Sequence, residues 1–261
     1  MNKTAAWIVV LLILGGLAAW FLLQRPAPEE HPSVVDLPPA STQQPAPRPN
    51  HPVEAIEAPA ETRTEPLPSL ADSDTSVIEA LADLAGPEAL GRVLITEQVV
   101  ARIVATVDRM DSRELAPLVM PVHPPQGEFR VQPGATDRIS AANYERYQPY
   151  AALARAMPVE GAVAFYRRHY PLFQQAYEEL GYEDAYFNDR LVAVIDHLLA
   201  TPQPEQPPAV ARSESVYVYQ DETLEALSAG QKVLIRIGPR HASVVREKLR
   251  AFRAAIAQDP S

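Results

Sequence analysis

The apolar positions of this chain follow three regimes. Between residues 5 and 23 no charged or strongly polar side chain occurs, and only Gly15 and Gly16 interrupt a run of Ala, Val, Ile, Leu, Trp and Phe. A helix of that length spans roughly 28 Å, close to the hydrocarbon thickness of a bilayer. Lys3 precedes the run as it would in a cleavable secretory signal. The run is longer than a signal's apolar region, however, continues through Trp20, Phe21, Leu22 and Leu23, and is followed by no A-x-A-like site. The pattern predicts an uncleaved signal anchor over 4–23, with Trp7 and Trp20 near the two interfaces. The amino terminus and Lys3 on one side, against Arg25 on the other, place a short tail, 1–3, in the cytoplasm. The rest of the chain is then expected on the periplasmic side of a bacterial inner membrane, as a single-pass protein.

The second regime, 24–68, has no period. Proline, alanine, glutamate and threonine dominate it, with Pro38 and Pro39 adjacent and Pro45, Pro47, Pro49 and Pro52 closely spaced. Such a stretch buries too little apolar surface to offset its ordering entropy, so a disordered, extended tether is expected. At up to 3.1 Å per residue it reaches on the order of 100 Å.

The third regime, 69–258, has helical period and is long enough for one ordinary core or two small ones. Val77, Ile78, Leu81 and Leu84 predict a helix over 72–85, with Asp72, Ser73 and Asp74 as caps and Gly86 as the stop. Pro87 begins another helix. Val99, Ile103 and Val107 carry a third, capped near Thr96 and ending by Asp111. Residues 123–138, with a Pro133-Gly134 turn signal, predict an extended connection or a small hairpin. Val163, Tyr166, Tyr170, Phe173, Tyr177 and Leu180 recur in steps of three and four; Pro171 within them predicts either a kink or a new helix. Helices are further expected over 187–200, over 222–237 and from Pro239 through Val245, Leu249, Phe252 and Ile256, with a strand over 215–220. The fold class is therefore mainly α, with one small two-stranded β element.

Polar residues crowd the helix that begins at Phe187. On a helical wheel Phe187, Leu191, Val194, Ile195, Leu198 and Leu199 share one face, and Asn188 falls inside it, either as a cap whose oxygen closes the helix start or as a core hydrogen-bonding amide. Asp189 and Asp196 align on one flank, Arg190 and His197 on the other. The neighbouring Asp196 and His197 diverge by about 100° and cannot form a dyad. Two aligned carboxylates suit an acid and base or a metal; the competing reading is two charged flanks that meet solvent or neighbouring helices. Glu178 and Glu179 are a second carboxylate pair.

All ten tyrosines lie between Tyr144 and Tyr219. Tyr166, Tyr170 and Tyr177 are candidate sugar or partner contacts, or core residues with tethered hydroxyls. The six histidines are scattered without metal-ligand spacing, and no metal or cofactor is expected. A G-x-S-x-G elbow is absent, and the lack of cysteine excludes a thiol nucleophile. The string Ser228-Ala-Gly-Gln-Lys232 brushes against a phosphate-loop appearance but lacks its spacing, and reads as a helical turn.

The net charge of -10 is unevenly spread. Acid dominates the tether and the first helix. Lys232, Arg236, Arg240, Arg246, Lys248, Arg250 and Arg253 gather near the end, either as a surface for anionic lipid or an acidic partner or as a complement to the acidic helix. Nucleic acid is not an expected partner of so acidic a chain.

The strings Tyr144-Glu-Arg-Tyr147, Phe165-Tyr-Arg-Arg-His-Tyr-Pro171, Tyr186-Phe-Asn-Asp-Arg-Leu-Val and Leu227-Ser-Ala-Gly-Gln-Lys232 resemble a family of uncharacterised bacterial membrane-anchored envelope proteins, a domain of unknown function numbered 3014. The resemblance implies the same anchor, tether and helical domain, and carries no catalytic or binding residues. Two functions fit the sequence. One is a non-enzymatic module that binds an envelope protein or cell-wall component at a distance from the membrane. The other is a hydrolase or lyase acting on an envelope glycan or peptide, with Asp189, Asp196 or the Glu178–Glu179 pair as acid and base.

Overall fold

The computed structural model describes residues 48–56, 66–214 and 216–257. The expected tail 1–3, the anchor 4–23 and tether residues 24–47 and 57–65 lie outside the described residues. Among the described residues no helix is long and apolar enough to cross a membrane.

Part of the stretch read as tether belongs to the core. Residues 48–56 carry a single 3-10 turn, Val53–Ala55. Val53, which opens it, and Ile56, which follows it, are buried in the main hydrophobic cluster. A composition averaged over 24–68 hides this one apolar pair, which gains its burial only from the surface it meets.

The first helices follow their period, with caps that do not. α1 (Asp74–Ala85) stops at Gly86, whose φ of 88° suits only glycine. Pro87 opens the short α2 (Pro87–Gly91), and α3 (Val99–Arg109) follows. Asp74 was expected to cap its own helix. Its carboxylate instead accepts from the amides of Gln98 and Val99, at 2.7 and 2.8 Å, and so closes the start of α3, in place of the expected cap near Thr96.

Among the described residues two β-ribbons occur where one was expected. β1 (Val131–Gln132) pairs antiparallel with β2 (Arg138–Ile139), and β3 (Val210–Ser213) with β4 (Val216–Tyr219). The Ile139 amide donates to the Pro208 carbonyl and the Val210 amide to that of Asp137, at 3.1 and 2.9 Å, so the ribbons meet edge to edge. Ile139, Val210, Tyr219 and Ile235 form the small core beneath them.

α4 (Ala142–Glu145), α5 (Gln148–Ala156) and α6 (Val159–Glu178) come between the ribbons in sequence. α6 runs through Pro171 as one element. The proline removes a single backbone donor, while Tyr166 before it and Phe173 after it are buried in one core, and that shared burial outweighs the lost bond.

α7 (Phe187–Leu199) precedes β3; α8 (Glu222–Glu225), α9 (Ala229–Arg236) and α10 (Pro239–Ile256) close the chain. The single helix expected over 222–237 is thus two. Ser228 starts the second with a capping box shared with Gln231. The amides of Ala229 and Gly230 donate to the carbonyls of Ser112 and Met110, at 2.8 and 3.0 Å. A Cβ on Gly230 would lie 2.9 Å from the Met110 oxygen, so glycine is required for this approach. With those amides occupied, the Ser228–Lys232 string is a docked helix start and offers no phosphate cradle.

α3 packs on α6 and α7, and α10 on α5, α6 and α7. Phe173 and Phe187 stack at 5.8 Å between them, and Tyr166 meets Phe252 at 5.8 Å. This packing biases two buried histidines towards the neutral form. His169 donates through Nδ1 to the Phe165 carbonyl at 2.8 Å. His241 donates through Nε2 to the Tyr144 carbonyl and accepts at Nδ1 from Arg155, a pattern only one neutral tautomer satisfies. Burial lowers the pKa of both, with Arg155 adding repulsion at His241. A depressed folded pKa means stability that is complete above the unfolded value, about 6.5, and lost as pH falls below it. The urea midpoint is therefore expected to drop between pH 7.5 and 5.5, and to drop less in His241→Gln; an identical drop in the variant would remove His241 from this account.

Candidate functional site

The residues singled out on α7 diverge as soon as they leave the helix. Asn188 is fully buried; its Oδ1 accepts from the Tyr166 hydroxyl at 3.1 Å, and its Nδ2 donates to the carbonyls of His51 and Ile256 at 2.8 and 3.2 Å. One amide thus joins α6, α7, the end of α10 and the segment 48–56. Burial pushes the Tyr166 hydroxyl well up, so it stays protonated and donates.

Asp189 accepts from the amides of Asn50 and His51, at 2.9 and 2.8 Å, and from the Asn50 side chain. Arg190 turns the other way, towards α3: it donates to both oxygens of Asp111 at 2.8 Å and to Asp108. The guanidinium holds the Asp111 carboxyl below its ordinary value. Asp196 forms an ion pair with Arg253 of α10, and His197 meets the Ser228 hydroxyl at 2.9 Å. Both charged flanks of the wheel therefore face neighbouring elements. Among the described residues no group of three or more histidine and carboxylate side chains converges as a metal site.

Asp189→Ala is expected to cost ~2 kcal/mol through the two abandoned amides. Hydrogen exchange would locate the effect: faster exchange at Asn50 and His51 is expected, with α6 and α7 still protected. Unchanged exchange at His51 would show that Asp189 does not hold the segment.

The tyrosines divide between core and rim. Tyr166 and Tyr177 are buried, Tyr177 stacking on Tyr182 at 4.5 Å; the half-buried Tyr170 donates to Gln174 at 2.8 Å. The terminal cations do not form one basic face. Lys232 pairs with Glu225, and Lys248 donates to the Met157 carbonyl. Arg236 lies between the rings of Phe129 and Tyr219, at 5.4 and 5.1 Å. Only Arg240 and Arg250 of the seven are exposed.

A concave site lies elsewhere, between the loop 202–208 and α10. Tyr144, Leu234, Ile235, Pro239, Ala242 and Arg246 line it together with the loop. The loop is pinned at both ends. Arg246 Nη2 donates to the carbonyls of Thr201 and Pro202, at 3.0 and 3.5 Å, and Arg138 donates to that of Pro207 at 2.7 Å. Between these anchors Gln203, Glu205 and Gln206 are exposed. The prolines of 202–208 mark a loop by their local backbone chemistry and carry no sign of the cleft. A signal was available: Arg246 falls between Ala242 and Leu249 on the buried stripe of α10, a charge where the period calls for an apolar residue.

No curated protein and no solved structure matches the chain. One family model does, described as a protein of unknown function, DUF3014, over residues 99–253. That span holds the cleft, both ribbons and the Asn188–Arg190 cluster, and leaves out α1 and the docked segment 48–56. The chain belongs to the DUF3014 family.

Proposed function

We propose that this protein is a non-enzymatic interaction module of the bacterial envelope. In this reading the segment 4–23 holds it in the inner membrane, the proline-rich stretch carries the domain into the periplasm, and the cleft beside α10 engages an envelope protein or cell-wall component. The observation that carries the proposal is the allocation of polar groups. Asn188, Asp189, Arg190 and Asp196 each hold another part of the fold. The cleft instead keeps apolar walls beside an arginine that has no carboxylate partner among the described residues. Acid–base work needs two groups free to face a reacting bond. Recognition needs a preformed concavity with a few fixed polar anchors, which is what the pinned loop supplies.

Photo-crosslinking in native membranes tests this, with the reactive residue at Gln203 or Gln206 of the full-length chain and at the exposed Arg92 for comparison. Discrete adducts from the cleft positions alone are expected. Their absence, or equal adducts from Arg92, would count against the proposal.

A further inference from the structure

We infer that the cleft is a carboxylate site, in which Arg246 receives an acidic side chain of an extended, proline-containing partner segment. This deepens the interaction reading and rests on it. Arg246 is 4 % exposed, lines the cleft and has no counter-ion among the described residues. Its Nη2 meets two carbonyls, its Nε is buried without a hydrogen-bond partner, and no bond engages Nη1 among the described residues. Guanidinium stays charged at any physiological pH, and a buried cation without an anion is costly. The two carbonyls follow the end of α7, where a cation complements the helix dipole. That service occupies Nη2 and, with Nε buried, leaves Nη1 as the nitrogen that can donate to a carboxylate oxygen.

The surroundings favour the same ligand. Pro239, Ala242 and Arg246 lie on one stripe of α10, so the positive end of that helix's dipole and the guanidinium share the cleft. From Pro239 to Arg246 the stripe runs about 10 Å, room for roughly three extended residues. Pro204, Pro207, Pro208, Leu234, Ile235 and Tyr144 form apolar walls that strengthen an ion pair by excluding water and match the faces of a proline-rich strand. A groove walled along that length suits a chain passing through it, hence a side-chain carboxylate. Glu205 on the rim is exposed and opposes the ligand's charge, which makes it a control.

The test uses the full-length chain in detergent and two peptides blocked at both ends, acetyl-Ala-Pro-Glu-Leu-Pro-amide and its glutamine twin. In calorimetric titration the glutamate peptide is expected to bind at least about tenfold more tightly, with the preference shrinking as salt rises. Arg246→Met should erase the preference, and because it also removes the donor to the Thr201 and Pro202 carbonyls it should lower the melting temperature; Arg246→Lys, which keeps the charge and a donor, should retain a reduced preference. Glu205→Gln, at an exposed position, should tighten the glutamate peptide a few-fold. Equal binding of the twins, binding of neither, or a preference that survives Arg246→Met would overturn the carboxylate site. Cleft crosslinks that persist beside equal binding of the twins would leave the interaction reading standing; missing crosslinks would sink that reading itself.

Discussion

Asn188→Leu is expected to lower the melting temperature by about 6–12 °C, the equivalent of about 3 kcal/mol for a domain of this size. The leucine fits the apolar face of α7, so the loss comes from partners left unpaired. These are the Tyr166 hydroxyl and the carbonyls of His51 and Ile256, in a site where Asn188 itself is 0 % exposed. Each buried orphan costs roughly 1–3 kcal/mol. Tyr166→Phe removes one of the three and should cost less; in the double variant the two losses should fall short of their sum, because they share a bond. The His51 amide should also exchange faster in Asn188→Leu, since its segment loses one of its ties to α7. A loss below about 1 kcal/mol would show that the amide is replaceable by water.

Gly238→Ala is expected to be worse than any other small substitution at the cleft, costing about 4 kcal/mol, or about 8–16 °C. Gly238 has φ 83° and ψ 159°, a region that essentially only glycine occupies. An added Cβ would also stand 2.5 Å from two ring atoms of Tyr144, which forms a wall of the cleft and cannot retreat without disturbing its neighbours. Gly127 provides the control, with φ 81° and open space around its would-be Cβ. Gly127→Ala should therefore report backbone strain alone, about 1–2 kcal/mol. Equal melting temperatures for the two variants would mean that the Tyr144 contact contributes nothing.

The site was partly legible in advance. Asn188 inside an apolar face read either as a cap or as a core hydrogen-bonding amide, and the structure buries it with its side chain bonded to Tyr166, His51 and Ile256. Which partners satisfy it was not legible, because His51 and Ile256 lie 137 and 68 residues away along the chain. The two flanks of α7 were seen as charged and aligned. What each flank meets depended on α3, α9, α10 and the segment 48–56 arriving beside them. The cleft escaped notice for a related reason. A proline run identifies a loop by local backbone chemistry, but whether it becomes a wall depends on what pins its ends.

By itself the sequence determined the helices of this protein, their apolar faces and most of their ends. Those follow from spacings of three and four residues and from glycine and proline, which act within a single turn. It also determined that the domain is mainly α, since the strand signals are few and short. Tertiary structure alone decided that Asp74 caps α3, that Pro171 sits inside one continuous helix, that 222–237 breaks at Ser228, and that residues 48–56 join the core. In each case the deciding group is a donor, an acceptor or an apolar surface brought from far along the chain. Such a partner has no local signature, because hydrogen bonds and burial depend on distance in space and are indifferent to distance in sequence.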